Sequence, residues 1–144
     1  MTKKDFESSF GIEIPTAVIA RAGTGMPSSL KFDVSASYRL FNEEYGFTGD
    51  LSITISSLLF LETISNYASM AANLQRLRTF RDLPKSLLPI AKCGNGDVIV
   101  CNIEIEICGG GDSVYLWVNE SGETMPIAKD ADVFYGGLVP DQSA

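Results

Sequence analysis

Two glycine-rich turns that end in aspartate are the first segments of this chain that could bind a ligand. They read GNGD (94–97) and GGGD (109–112). A phosphate-binding loop needs a helix directly after it, because the N-terminal N–H groups and the dipole of that helix hold the anion. Strand-like sequence follows both turns, and neither carries the Gly-Lys-Ser/Thr ending of a nucleotide site. We therefore interpret both as hairpin turns and expect no cofactor.

The three cysteines, Cys93, Cys101 and Cys108, are the second candidate for chemistry. Cys101 alternates with isoleucines and is expected in the core, whereas the other two lie near turns. A zinc site would need a fourth ligand, but the chain has no histidine and no Cys-x-x-Cys pair. An odd number of cysteines matches no disulfide framework and suits a reducing cytoplasm. We expect structural cysteines, no metal and a cytoplasmic protein.

A pair of carboxylates is the third candidate. Glu104 and Glu106 share one face of a predicted strand and would lie about 7 Å apart, given the rise per residue. Glycoside-cleaving enzymes use paired acids at such separations. No second feature marks a sugar-binding cleft, and the missing histidine removes Ser-His-Asp and Cys-His catalysis. We predict that the protein is not an enzyme, and an acid-pair hydrolase is the alternative.

The loop at residues 42–50 combines acidic with aromatic side chains. Its acids are Glu43, Glu44 and Asp50, and its rings are Tyr45 and Phe47. In a binding surface the rings would supply buried area and the acids would steer a basic partner toward the loop. The alternative is that the rings pack under the edge of the sheet.

The overall charge agrees with a protein partner. The formal net charge is −7 and the sequence pI is near 4.5. Such a balance opposes binding to nucleic acid or to an anionic membrane through a general electrostatic field. The sequence also contains no apolar run of about 18 residues, the length that a helix needs to span a bilayer. Acidity can also serve solubility alone.

The elements that would position these residues follow from hydrophobic periodicity. Two short helices are predicted within residues 5–22, separated by a turn at Gly11, and a longer helix is predicted over 65–80, capped by Ser65. The predicted strands cover residues 30–40, 51–61, 87–91, 99–107 and 114–118. A short helix over 129–138 closes the chain. This order predicts a single α+β domain over residues 1–144, with a central antiparallel sheet of about five strands, helices around it and a flexible tail at 139–144.

The hairpin between the third and fourth predicted strands has a specific expected register. Asn95-Gly96 is typical of a two-residue type I′ turn, because both central positions of that turn need positive φ. This turn would place Ile90 opposite Cys101 and Cys93 opposite Val98. No Cys93–Cys101 disulfide is therefore expected.

Four stretches of the chain together resemble a known family. LPIAKCGNGDVIVCNI (88–103) is followed by VYLW (114–117), and FESSFGIEIP (6–15) and AKDADVFYGGL (128–138) flank this core. Together they resemble the hairpin, the opening helices and the closing helix of the SUKH superfamily, also called the Smi1/Knr4 family. The resemblance implies an α+β fold with a central antiparallel sheet. In bacteria it implies an immunity protein that binds and blocks a toxin domain, often a nuclease, whereas fungal relatives act as hubs in cell-wall signalling.

We therefore predict an immunity protein that neutralises a basic, nuclease-like toxin by covering it with an acidic surface. Tyr115 and Trp117 share a face of their strand, and Trp117 joins the predicted contacts although both rings could instead be buried. The predicted partner-binding residues are Glu43, Glu44, Tyr45, Asp50, Glu104, Glu106 and Trp117. The alternative is an intracellular scaffold or regulatory module of the Smi1/Knr4 type, which would use the same sheet for an endogenous partner.

Overall fold

The computed structural model describes residues 3–11, 14–22, 30–34, 52–59, 69–93, 96–103 and 113–140. Four helices occur in these residues: α1 (Lys3–Phe10), α2 (Thr16–Ala22), α3 (Met70–Phe80) and α4 (Ala131–Gly136). Seven strands accompany them: β1 (Leu30–Asp33), β2 (Ser52–Leu58), β3 (Leu87–Cys93), β4 (Val98–Asn102), β5 (Val114–Trp117), β6 (Thr124–Ala128) and β7 (Leu138–Pro140).

The strands form one antiparallel sheet in the order β6-β5-β4-β3-β2-β1-β7. The α+β class is confirmed, but the prediction of about five strands was too low. The two additional strands, β6 and β7, are the edges of the sheet. β6 carries Pro126, and proline is tolerated in edge strands. β7 pairs antiparallel with β1, where Lys31 lies opposite Val139. Val139 and Pro140, predicted as part of a flexible tail, belong to β7.

The predicted helices are present with other bounds, because α1 begins two residues earlier than predicted and α3 and α4 are shorter. Gly11 ends α1 with φ 67°, and its N–H donates to Glu7 O at 2.9 Å, so this glycine supplies the left-handed residue that closes many helices. The helix α3 begins after Ser69 rather than Ser65, because Ser69 Oγ accepts a hydrogen bond from Ala72 N at 3.1 Å. None of the described helices is long and apolar enough to cross a bilayer.

The core lies between the helices and the middle of the sheet. Met70, Leu74 and Leu77 form the buried stripe of α3, as the helical spacing predicts. β3 and β4 are central strands, and every residue of β4 is buried. Because successive side chains point to opposite faces, both faces of β4 are covered. By alternation Asn102 shares the strand face predicted for Glu104 and Glu106, and it is only 7 % exposed.

The hairpin between β3 and β4 forms where predicted, but in another register. Cys93 N donates to Asp97 O at 2.9 Å, so residues 94–96 connect the strands. Gly96 has φ 93°, which a glycine adopts readily after a turn of this length. The pairing shifts again between Pro89 and Ala91, and Cys101 faces Leu88 instead of Ile90. Neither Cys93 nor Cys101 forms a disulfide in the structure.

Candidate partner-binding site

Two turns of the sheet lie side by side at one of its ends. They are the β3–β4 turn and the β5–β6 turn. Every second turn of an antiparallel meander falls at the same end of the sheet, so these two turns share one end. The carboxylate of Asp97 in the first turn accepts a hydrogen bond from Asn119 N in the second, at 3.1 Å. A Cβ placed on Gly96 would lie 3.9 Å from Asn119 Nδ2. The backbone of one turn is therefore held against the other by a charge-assisted hydrogen bond.

The segment between β1 and β2 is attached to the sheet at this same end. Leu30 lies opposite Ile55, and Asp33 lies opposite Ser52, so β1 leaves the sheet where β2 enters it. Ile55 in turn lies opposite Cys93, the last residue before the β3–β4 turn. Consequently, both attachments of the segment at residues 35–51 lie at the end of the sheet that bears the two turns. This segment carries the predicted acidic loop.

Carboxylates predominate among the described charged residues at this end. Asp33, Glu120 and Glu123 are exposed, and Asp97 is half-buried. We call these four residues the acidic end of the sheet. Among the residues with described positions, no group of three or more acids or cysteines could hold a metal ion.

The structure describes one of the seven predicted partner-binding residues. Trp117 lies in β5 opposite Val98 and Thr124 and is 1 % exposed. A partner cannot reach this ring, so its prediction as a contact was wrong. The ring is buried because β4 and β6 flank its strand and the core closes over it. The other six, Glu43, Glu44, Tyr45, Asp50, Glu104 and Glu106, lie outside the described residues.

The segment that contains Glu104 and Glu106 is attached at the opposite end of the sheet. Asn102 N donates to Ser113 O, and Ile103 N donates to Ser86 O, both at 2.8 Å. The first bond joins the two flanks of the segment at residues 104–112 to each other, and the second joins one flank to the chain that leads into β3. The predicted contacts thus come from two segments with attachments at opposite ends of the sheet.

The described cysteines are core residues with little capacity for nucleophilic chemistry. Cys101 is fully buried, as predicted, and Cys93 is only 6 % exposed although it precedes a turn. Burial raises the pKa of the Cys93 thiol to about 12, and the Asp97 carboxylate contributes to the increase. The thiolate is the reactive form of cysteine, and at neutral pH this side chain is protonated. Cys108 lies outside the described residues.

Four acids of this surface were not predicted from the sequence, although a usable signal was present. Asp97 lies in the turn GNGD, and Glu120 and Glu123 lie in NESGE (119–123), whose composition is typical of a turn. In a meander of antiparallel strands, every second turn falls at the same end of the sheet. Counting strands from GNGD to NESGE would have placed Asp97 beside Glu120 and Glu123.

Comparison with known proteins gives a family and no individual relative. The comparison with curated proteins and the comparison with solved structures each found no match. A family model described as SMI1-KNR4 cell-wall, of the SUKH group, matches residues 26–134. The matched region contains six of the seven strands, including both turns of the acidic end. The chain therefore belongs to the SUKH family of SMI1-KNR4 domains.

Proposed function

We propose that this protein is an immunity protein, which binds a toxin domain and neutralises it by covering its substrate groove. Membership of the SUKH family supports a binding role. The observation that carries the proposal is the acidic end of the sheet, where two turns and both attachments of the 35–51 segment meet. The proposed partner is a basic, nuclease-like toxin.

The charge of this surface suits the groove of a nuclease. A protein that holds phosphate builds a positive groove, and an acidic inhibitor is drawn to that groove by long-range attraction. Glu120 and Glu123 are exposed on the turn after β5, so a partner can reach both side chains. Complementary charge of this kind raises the association rate and fixes the orientation of the complex.

The acidic loop extends the same proposed surface. Glu43, Glu44 and Asp50 add three acids to a segment that is attached beside Asp33. Tyr45 supplies an aromatic side chain of the type that carries much of the binding energy in protein interfaces. Inhibition by coverage needs no reaction, so the buried thiol of Cys93 and the turn glycines have structural roles in this scheme. The proposed site of action is the cytoplasm, which suits free cysteines.

Co-expression with a toxin domain encoded beside the gene tests this function. The wild-type chain should restore growth and co-purify with the toxin. A Glu120→Lys and Glu123→Lys double variant should weaken both effects, because it replaces attraction by repulsion across the contact. A Glu104→Lys and Glu106→Lys double variant changes the net charge equally and is the matched control, since its segment is attached at the opposite end.

Three results distinguish the components of the proposal. Loss of rescue only in the Glu120/Glu123 variant supports the acidic end as the contact surface. Loss only in the Glu104/Glu106 variant would place the contact at the other end and remove this surface from the proposal. Absence of rescue by the wild-type chain, with the toxin active and both proteins expressed, would contradict the immunity function itself.

A further inference from the structure

The C-terminal turn of α3 presents an aromatic ring to solvent. Phe80 is 76 % exposed and is the most exposed large hydrophobic side chain in the described part of the protein. Phe6 and Phe134 are fully buried, and Trp117 is 1 % exposed. A single exposed apolar side chain is ordinary on a protein surface, so the meaning of Phe80 depends on what surrounds it.

Basic residues precede and follow Phe80 in the sequence. Arg76 lies one helical turn before Phe80, and positions four apart lie on the same side of a helix. Arg81 and Lys85 follow, and all three basic side chains are exposed. Residues 76–92 contain five Lys or Arg and one acid, a formal charge of +4, which leaves −11 for the rest of a chain whose net charge is −7. Basic charge is therefore concentrated in residues 76–92 of a chain that is otherwise acidic.

The observed hydrogen bonds of Arg76 and Arg78 go to uncharged groups. Arg76 Nη2 donates to Asn73 Oδ1 at 3.3 Å, and Arg78 Nη2 donates to Lys85 O at 3.4 Å. Both acceptors are neutral, so neither bond offsets a positive charge. Burial lowers the pKa of Lys92, and the Arg76 guanidinium lowers it further. The helix dipole explains a cation in the last turn, but it does not explain an exposed phenylalanine beside it.

We propose that Phe80, Arg76, Arg81 and Lys85 form a second interaction surface, which binds an acidic segment of a partner polypeptide. We call these four residues the basic end. The ring of Phe80 is the apolar anchor, and the three cations pair with carboxylates on either side of it, which is the arrangement that interface hot spots favour. This inference goes beyond the proposed toxin contact and concerns a different partner.

The fold carries the part of this surface that follows α3 away from the acidic end. Residues 81–86 lead from α3 to Leu87, which lies opposite Asn102 at the far end of the hairpin. Two partners of opposite charge could therefore bind one molecule together, as a scaffold requires. An acidic polypeptide also fits the charge distribution better than nucleic acid or an anionic membrane. A short segment contacts the basic end alone, whereas an extended polyanion meets the −11 on the rest of the chain.

The test uses a fluorescein-labelled synthetic peptide of alternating glutamate and leucine, with the lysine and leucine peptide as a charge control. Fluorescence anisotropy should show binding of the acidic peptide to the wild-type chain, weakening as salt is raised. Phe80→Ser and the Arg81→Glu and Lys85→Glu double variant should each weaken binding about tenfold or more, the loss expected for a hot-spot residue. Val133→Ser, at a side chain that is 41 % exposed, is the apolar control, and Lys129→Glu is the charge control; both should bind as the wild type does.

Four outcomes would overturn the inference. They are absence of acidic-peptide binding by the wild-type chain, equal binding by Phe80→Ser, binding of an oligonucleotide or an anionic vesicle through these same residues, and self-association in sedimentation experiments that Phe80→Ser abolishes. The last would identify a second copy of this chain as the occupant. Toxin rescue by Phe80→Ser should be unaffected, so failure of this inference and failure of the immunity function give different results.

Discussion

A Gly137→Ala substitution should destabilise the protein by forcing a methyl group into the contact between α4 and β1. A Cβ at Gly137 would lie 2.8 Å from Phe32 Cε1, 3.2 Å from Phe32 Cδ1 and 3.2 Å from Val133 O. Carbon atoms in good contact are about 3.5–4.0 Å apart. Phe32 is 4 % exposed, and its ring packs on Phe134 with 5.2 Å between centroids. The ring cannot move away without displacing its neighbour in the core.

The size of the effect follows from two opposing contributions. Overpacking of a core contact costs roughly 1–3 kcal/mol. Replacing glycine also restricts the unfolded chain, which stabilises a protein by about 0.4–1 kcal/mol where the backbone fits. Gly137 has φ −90°, a value that alanine adopts without strain. We therefore expect a net loss of about 1–2 kcal/mol in the free energy of unfolding.

The neighbouring residue is a matched control for this experiment. A Cβ on Gly136 meets no atom within 4 Å, so Gly136→Ala should be neutral or stabilise by about 0.4–1 kcal/mol. Urea unfolding measures both, and a shift of the midpoint with an unchanged slope reports stability alone. Equal stability of the two variants would refute the described packing of α4 against Phe32.

Three further predictions concern the acidic end and α3. Asp97→Ala should lower the free energy of unfolding by about 1.5–3 kcal/mol, the range for a hydrogen bond to a charged group. Asp97→Asn retains an oxygen that can accept from Asn119 N, so it should lose less stability. Equal losses in urea unfolding would contradict the hydrogen bond between the turns. The wild-type protein should lose stability as pH rises from 9, the ordinary thiol pKa, toward about 12, the raised pKa of Cys93, because the folded state binds the proton more tightly. This alkaline loss should be smaller in Cys93→Ala, and identical pH profiles of unfolding would contradict the raised pKa. Ser69→Ala should cost about 0.5–2 kcal/mol by leaving Ala72 N without its cap, and Ser69→Asp should retain most of that energy; thermal unfolding compares the two, and an unchanged melting temperature in Ser69→Ala would be the contrary result.

The locations of most elements could be predicted from local sequence patterns. The turn at Gly11 and the apolar stripe of α3 depend on residues near each other in the chain, so spacing alone indicates them. The hairpin at residues 94–97 is also local, but its register is not. The choice between a two-residue and a three-residue connection depends on the position of Gly96 in the turn. The irregular pairing between Pro89 and Ala91 depends on the neighbouring strand β2, because Leu59 N, just after β2, donates a hydrogen bond to Ile90 O.

The features that were wrong or missing depend on contacts between distant segments. β7 has three residues and pairs with β1, more than 100 positions earlier, so its own sequence carries little strand signal. Trp117 alternates like a half-exposed residue, but the strands β4 and β6 and the core cover it. The grouping of Asp97 with Glu120 and Glu123 needed only the order of strands, and it was the part of the site that sequence reasoning could have reached.

The rate of association with the cognate toxin domain tests the central claim most directly. Stopped-flow measurements would compare the wild-type chain with a Glu43→Lys, Glu44→Lys and Asp50→Lys variant and with the Glu120→Lys and Glu123→Lys variant. If the acidic end captures a positive groove, both variants should associate about tenfold or more slowly at low salt, and the difference should shrink as salt screens the field. Association rates equal to the wild-type rate at every salt concentration would contradict the claim.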